Sequence, residues 1–166
     1  MIFLTVGTYP LSFERLVEAT DTMITKGFIE EGVFAQVGVC NYKPKNMEYV
    51  EMLQKEVYDY YFEKASAVIS HAGIGTIMMA LDNEKPLLVM PRLQKYGEVV
   101  NEHQIATAKR FEELGHVLVA YTEEGLPDKL RELKTFVPKP RENQAKAVAD
   151  RISKFLNEIR ISKEQL

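Results

Sequence analysis

A chain of 166 residues, 46 % of them hydrophobic, is long enough to bury one substantial core and too apolar for wholesale disorder. Its net charge of −3 argues against a nucleic-acid partner, and a single cysteine, Cys40, excludes an internal disulfide and fits a reducing compartment. There is no basic leader and no apolar run of bilayer length, so a cytoplasmic protein is expected. In chain order, Ile2–Val6 reads as a buried strand ending in the loop signal Gly7-Thr8-Tyr9-Pro10. Ser12 is placed to cap a helix whose inner face holds Phe13, Leu16, Val17, Thr20, Met23 and Ile24, closed by Lys26-Gly27. Val33–Val39 is a second strand, Asn41–Asn46 a loop and Met47–Val50 a short extra strand. Gln54–Lys64 predicts a helix with Val57, Tyr60 and Tyr61 inward.

The middle of the chain is one βαβ unit. Ala67–Ile69 is an apolar strand, Ser70-His71-Ala72-Gly73-Ile74-Gly75 a glycine turn, Thr76–Leu81 a helix ended by Lys85-Pro86, and Leu87–Met90 a second strand stopped by Pro91. Arg92–Gln104 is polar and irregular, and a helix over Glu102–Leu114 follows with Ile105, Ala108 and Phe111 inward and Gly115 as its stop. Val117–Ala120 is another strand and Glu123–Leu133 a short helix with acids at its start. Val137-Pro138-Lys139-Pro140 is a stiff connector to a last helix, about Asn143 to Ile159, striped by Val148, Ile152, Phe155, Leu156 and Ile159. This alternation predicts an α/β domain, a Rossmann-like, mostly parallel sheet with helices on both faces. Residues 1–142 form that domain, residues 143–160 add its C-terminal amphipathic helix and residues 161–166 are a polar tail.

Ligands of such sheets bind beyond the carboxyl ends of the strands, where Gly7–Pro10, Ser70–Thr76 and Arg92–Gln104 fall. Gly73 and Gly75 permit positive φ and close backbone approach, so the turn either cradles a pyrophosphate, with Thr76 as an added donor, or is a plain tight turn. His71 either donates to a phosphate or sugar oxygen or caps its own helix. Glu98, Asn101, His103 and Gln104 are either a set of sugar-hydroxyl partners or a solvated loop, and Arg92 and Lys95 are either anion contacts or surface cations. The three histidines lack metal-ligand spacing, and no nucleophile elbow or carboxylate pair stands out. The last helix's stripe is either core or a partner-facing surface.

Three ordered motifs carry a resemblance: Ile-Phe-Leu-Thr-Val-Gly-Thr at the start, Ser-His-Ala-Gly-Ile-Gly-Thr in the centre, and Pro-Arg-Leu-Gln-Lys-Tyr-Gly-Glu-Val-Val-Asn-Glu-His-Gln after it. Together they resemble the C-terminal, donor-binding domain of family-28 glycosyltransferases. The chain is similar to stand-alone bacterial exopolysaccharide subunits of the PssE type and to the cytosolic subunit of the eukaryotic dolichol-linked N-acetylglucosamine transferase. The resemblance implies one half of a GT-B hexosyltransferase that binds a UDP-sugar donor without an essential metal and joins a membrane-anchored partner holding the acceptor site. That partner would recruit it to the inner face of the membrane, for transfer to a lipid-diphosphate-linked acceptor in polysaccharide synthesis.

By the same resemblance Gly7, Thr8, His71, Gly73, Gly75 and Thr76 bind the donor diphosphate, and Arg92, Glu98, Asn101, His103 and Gln104 bind the sugar or nucleotide. His71 and Glu98 are the candidates for a catalytic role. Two positions depart from the family pattern. Met79 stands where a ribose-binding glutamate is usual, and Val99 where a histidine often follows Gly-Glu. Those departures favour an alternative in which the chain is a non-catalytic nucleotide-sugar-binding or stabilising subunit. The C-terminal helix is expected to pack partly on its own domain and partly to support association, with the membrane partner or in a homodimer of the isolated chain.

Overall fold

The computed structural model describes residues 1–141 and 149–156. Six strands form one parallel sheet: β1 (Ile2–Thr5), β2 (Val33–Gln36), β3 (Glu48–Val50), β4 (Ala67–His71), β5 (Leu87–Met90) and β6 (Leu118–Val119), in the spatial order β3-β2-β1-β4-β5-β6. The register is continuous across the centre, with Leu4 beside Ala35 on one side and Ile69 on the other. Because the chain winds outward from β1 in one direction and from β4 in the other, the crevice beyond the ends of these two strands is the topological switch point.

Helices cover both faces, as the expected architecture requires. The helices α1 (Glu14–Thr25) and α5 (Leu126–Leu133) bury Phe13, Leu16, Val17, Met23, Leu126, Leu130 and Leu133 against the face carrying Ile2, Leu4, Ile69, Leu88 and Met90. The helices α2 (Lys55–Lys64), α3 (Ile74–Asp82) and α4 (His103–Glu113) bury Phe62, Ile77, Ala80 and Ala108 against Phe3, Val68, Leu87 and Val89. Adjacent strand residues thus serve opposite layers, which is why the strands read as unbroken apolar runs.

Three local expectations change. In α2 it is Phe62, with Tyr58 and Tyr61, that packs inward, while Val57 and Tyr60 are exposed. The rings of Tyr61 and Phe34 stack at 3.9 Å and Tyr58 meets Phe3 edge-on at 5.2 Å, so an aromatic cluster sets the rotation of the helix. The N-cap of α1 is Phe13 without a side-chain bond, and the Ser12 hydroxyl donates to Glu14 Oε1 at 3.3 Å instead. The helix α3 begins at Ile74 rather than Thr76, with Gly73 at its cap. The loop Asn41–Asn46 is held by buried Asp21, whose carboxylate accepts from Tyr42 Oη and from the backbone N–H groups of Lys45 and Asn46 at 2.8–3.1 Å. Residues 149–156 are helical, with Ile152, Phe155 and Leu156 exposed. The rest of the predicted last helix, including Val148 and Ile159, and the tail at 161–166 lie outside the described residues.

Candidate functional site

The switch point is occupied by two turns and a side chain that needs both. Gly7 leaves β1 with φ +75°, a conformation that disfavours any side chain. Its amide donates to Thr5 Oγ1 at 3.2 Å, and its carbonyl accepts from Gln36 Nε2 at 3.1 Å. The imidazole of His71, at the end of β4, lies over this turn. A Cβ on Gly7 would stand 2.6 Å from His71 Cε1, and one on Gly73 would overlap His71 Nε2. Gly73 is therefore needed for space and not for positive φ, since its φ is −85°, and Gly75 sits inside the helix.

The hydrogen bonds define how His71 is held. The Ser70 hydroxyl donates to the Thr5 carbonyl at 2.7 Å, so its oxygen is left to accept from His71 Nδ1 at 3.1 Å. This assigns the proton of the neutral ring to Nδ1. Burial, and then the nearby Arg92 cation, lowers the pKa of His71 to about 4. The ring is thus neutral near pH 7 with a basic Nε2, and a bound anion would reverse part of that shift.

Beside His71, α3 starts without a side-chain cap. The first helical bond at this end runs from Ile77 N to Gly73 O, which leaves the N–H groups of Ile74, Gly75 and Thr76 outside the intrahelical ladder. Ile74 and Gly75 are exposed there. Three N–H groups outside the ladder, the positive end of a helix dipole and a φ-positive turn opposite are the chemistry that suits an anion. The space in front is a cleft of ≈ 630 Å³ lined by Gly7–Pro10, Gln36, Leu53, Lys55, Tyr58, Asp59, His71, Gly75, Thr76 and Met79. That volume suits a nucleotide-sized ligand. Burial raises the phenol pKa of Tyr58, while the hydroxyls of Thr5 and Thr76 pull the other way.

Gly7, Thr8, His71, Gly75 and Thr76 therefore meet in one cleft, with Gly73 directly beneath the histidine. The second group does not line it. Arg92 is fully buried, not a surface contact for a ligand. Its Nη1 donates to the carbonyls of Leu11, Ser12 and Glu98 at 2.8, 3.0 and 3.0 Å, and its Nη2 to that of Val6 at 3.0 Å. The guanidinium lies 4.7 Å from the Phe13 ring centre and 5.5 Å from that of Tyr9. Arg92 thus staples the first ligand loop to the loop after β5.

Glu98 is also buried, and its two carboxylate oxygens accept from Arg15 Nε and Nη2 at 2.9 Å each, with Leu93 N at 2.8 Å on the second. Those bonds occupy the carboxylate on its own domain, so the structure gives it no open face toward the cleft. Gln104 is buried and accepts from Arg92 N at 3.1 Å, whereas Asn101 and His103 are exposed and bonded to each other through His103 Nδ1. Gln36, Leu53, Lys55, Tyr58 and Asp59 were not anticipated. They come from β2, the loop after β3 and α2, and carry no local motif. Among the described residues no group of three or more His, Cys, Asp or Glu could hold a metal ion, and no helix is long and apolar enough to cross a membrane.

The model of the glycosyltransferase family 28 C-terminal domain matches residues 1–159. The human UDP-N-acetylglucosamine transferase subunit ALG13 is 30 % identical over 126 residues, 70 % of this chain and 10 % of that protein. The mouse subunit of the same name is 33 % identical over 125 residues, and the chain spans about a tenth of the length of either. Among solved structures, the glycotransferase of kitacinnamycin superposes with a TM-score of 0.60 at 21 % identity, covering 96 % of this chain and 39 % of that one. An NMR structure of ALG13 superposes at 0.54 with 24 % identity, covering 84 % of this chain and 87 % of that one. These two likenesses show a shared fold, that of a GT-B glycosyltransferase domain.

Proposed function

Because the chain belongs to the glycosyltransferase family 28 C-terminal domains, we propose that it is the donor-binding half of a two-component hexosyltransferase. It binds a nucleotide sugar, a UDP-sugar by analogy with the subunit its mammalian relatives are named for. The observation that carries this reading is the uncapped start of α3 facing the Gly7 turn and His71 across a nucleotide-sized cleft. The diphosphate lies on the N–H groups of Ile74, Gly75 and Thr76, within reach of His71 Nε2. In transfer, the bond between the sugar's anomeric carbon and the diphosphate oxygen breaks as an acceptor hydroxyl adds to that carbon. The fixed N–H dipoles stabilise the charge left on the departing diphosphate. Glu98 is engaged by Arg15, so the group that takes the acceptor's proton comes from the second half of the enzyme. The acceptor is a lipid-linked diphosphate sugar and the partner is membrane-anchored, in exopolysaccharide or related polysaccharide synthesis. The exposed Ile152, Phe155 and Leu156 supply an apolar face for that association.

Titration calorimetry of the chain with UDP and UDP-hexoses tests the reading. Saturable binding that is lost in Gly73→Leu is expected, and absence of binding at millimolar nucleotide would refute it. The turned-in Glu98 and the buried Val99 favour a second reading, a subunit that binds donor or steadies its partner without contributing to the chemistry. In the assembled enzyme, His71→Ala and Gly73→Leu lower turnover by orders of magnitude if this cleft is the donor site. They leave it unchanged if the chain only stabilises its partner.

A further inference from the structure

The cleft has two chemically different ends. At its inner end are backbone donors, Gly7 and His71; at its outer end α2 faces α3, with Lys55, Tyr58 and Asp59 across from Gly75 and Met79. Leu53, Tyr58 and Met79 make this end largely apolar. Asp59 is its one carboxylate among the described residues, and α3 brings a thioether to the opposite wall. Asp59 and Met79 also share the border of the adjoining hollow, which extends to Met78 and Asp82. Like Met79, Asp59 thus lines both the cleft and the hollow beside it. Its bond is to Lys55 Nζ at 2.5 Å, one turn back on the same helix, and its side chain is 43 % exposed. An incoming hydroxyl can reach it without displacing a buried partner.

Spacing along α3 says what would arrive there. A diphosphate on the amides of Ile74–Thr76 starts its nucleoside at the first turn, and Met79 lies three residues beyond Thr76, about 5 Å of helix rise. That is comparable with the separation between a 5′-phosphate and the vicinal hydroxyls of the attached ribose. A carboxylate accepting from a ribose diol is a general solution to reading that sugar.

Resting on the donor-binding reading above, we propose that Asp59 reads the ribose: its carboxylate accepts from the 2′- and 3′-hydroxyls, so the cleft selects ribonucleoside diphosphates over their 2′-deoxy counterparts. The base then lies among Leu53, Tyr58 and Met79. Lys55 keeps the carboxylate at the cleft mouth and is not itself required for the selection.

The test is calorimetric titration of UDP and 2′-deoxy-UDP into the full chain, its Asp59→Asn and Asp59→Ser variants, and Lys55→Met. One charge-assisted hydrogen bond corresponds to a preference of about tenfold or more for UDP in the parent chain. Asp59→Ser binds both nucleotides equally and more weakly than the parent binds the deoxy form, because the bond to the 3′-hydroxyl is lost as well; Asp59→Asn, which keeps a neutral acceptor, shows a reduced preference, and Lys55→Met keeps the preference. The Asp59 side chain is 43 % exposed and that of Lys55 79 %, so their ion pair contributes little to stability and far-UV circular dichroism should show all variants folded. A parent that binds UDP without preferring it, or an Asp59→Ser variant that keeps the preference, overturns the assignment and leaves the donor-binding reading standing. Failure of every form to bind either nucleotide overturns both.

Discussion

Replacing Arg92 by methionine tests whether the stapled loop depends on a buried cation or merely tolerates it. Two opposing contributions decide the outcome. Burial, the largest influence, lowers the guanidinium pKa to about 10, with Glu98 and Tyr9 acting the other way. Keeping the cation at neutral pH therefore costs about 3 kcal/mol, which methionine removes. Against this, the carbonyls of Val6 and Glu98 lose a donor in buried surroundings, at about 1–3 kcal/mol each. The carbonyls of Leu11 and Ser12 lie nearer the surface, where water replaces the donor at about 1 kcal/mol each. The stacking of the cation on Phe13 adds about 2 kcal/mol. The losses sum to about 6–10 kcal/mol, so Arg92→Met should destabilise the chain by about 3–7 kcal/mol.

Arg92→Lys keeps the charge but offers at most three donors in no fixed fork, and should recover part of the loss. Urea unfolding followed by circular dichroism measures both, the shift in midpoint at constant slope giving the change in stability. A methionine variant within about 1 kcal/mol of the parent, or more stable than it, would show that desolvation dominates, as it does in buried ion pairs that apolar residues replace without loss. Arg92 would then be dispensable as a staple.

Three further outcomes follow from the same geometry. His71, with its folded pKa near 4 against 6.5 for the free side chain, is neutral in both states above pH 6.5. As pH falls from 6.5 toward 4 the unfolded chain takes up the proton first, so stability falls by up to about 3 kcal/mol, and His71→Gln should flatten that part of the unfolding profile. Nucleotide affinity should rise over the same window, because a bound diphosphate favours the imidazolium; calorimetry in two buffers of different ionisation heat detects the proton uptake. Gly73→Ala meets no φ penalty, but its Cβ overlaps His71 Nε2, and the ring, which also lies against Gly7 and is bonded to Ser70, must leave its place; the unfolding midpoint and nucleotide binding should both fall. Glu98→Gln takes away the carboxylate that Arg15 holds with two bonds and leaves it the longer contact to Glu123 at 3.5 Å, at a site where the Arg15 and Glu98 side chains are less than a tenth exposed, and should lower stability by about 1–3 kcal/mol in thermal or urea unfolding.

The strands, their order of appearance and the glycine turns were readable because a parallel sheet buried on both faces needs uninterrupted runs such as Leu87–Met90, and because turns after such strands need small residues. The inner end of the cleft was readable for the same reason: Gly7, His71 and Gly73 sit in short motifs at strand ends. The outer end was legible only at Met79, because Leu53, Lys55, Tyr58 and Asp59 belong to a separate stretch of chain that carries no local motif and meets α3 only once α2 is packed. Arg92 and Glu98 misled in the opposite direction. A charged residue in a polar loop reads as ligand-facing or solvated, and nothing adjacent reveals that Glu98 will find Arg15, 83 positions earlier, or that Arg92 will find the Val6–Ser12 carbonyls. The aromatic run in α2 permitted several inward faces, and contacts with Phe3 and Phe34 from distant strands chose among them.

The two ends of the sheet are its shortest strands, three residues in β3 and two in β6. A border that brief presents too few free amide and carbonyl groups to template another chain, and β3 begins with the exposed charge of Glu48. Joining a second half-enzyme, or a second copy, by continuing the sheet would gain only a couple of backbone bonds. Contact with another protein is thereby left to side-chain surfaces, whose fit is selective, and copies of the chain are spared ribbon-like self-polymerisation.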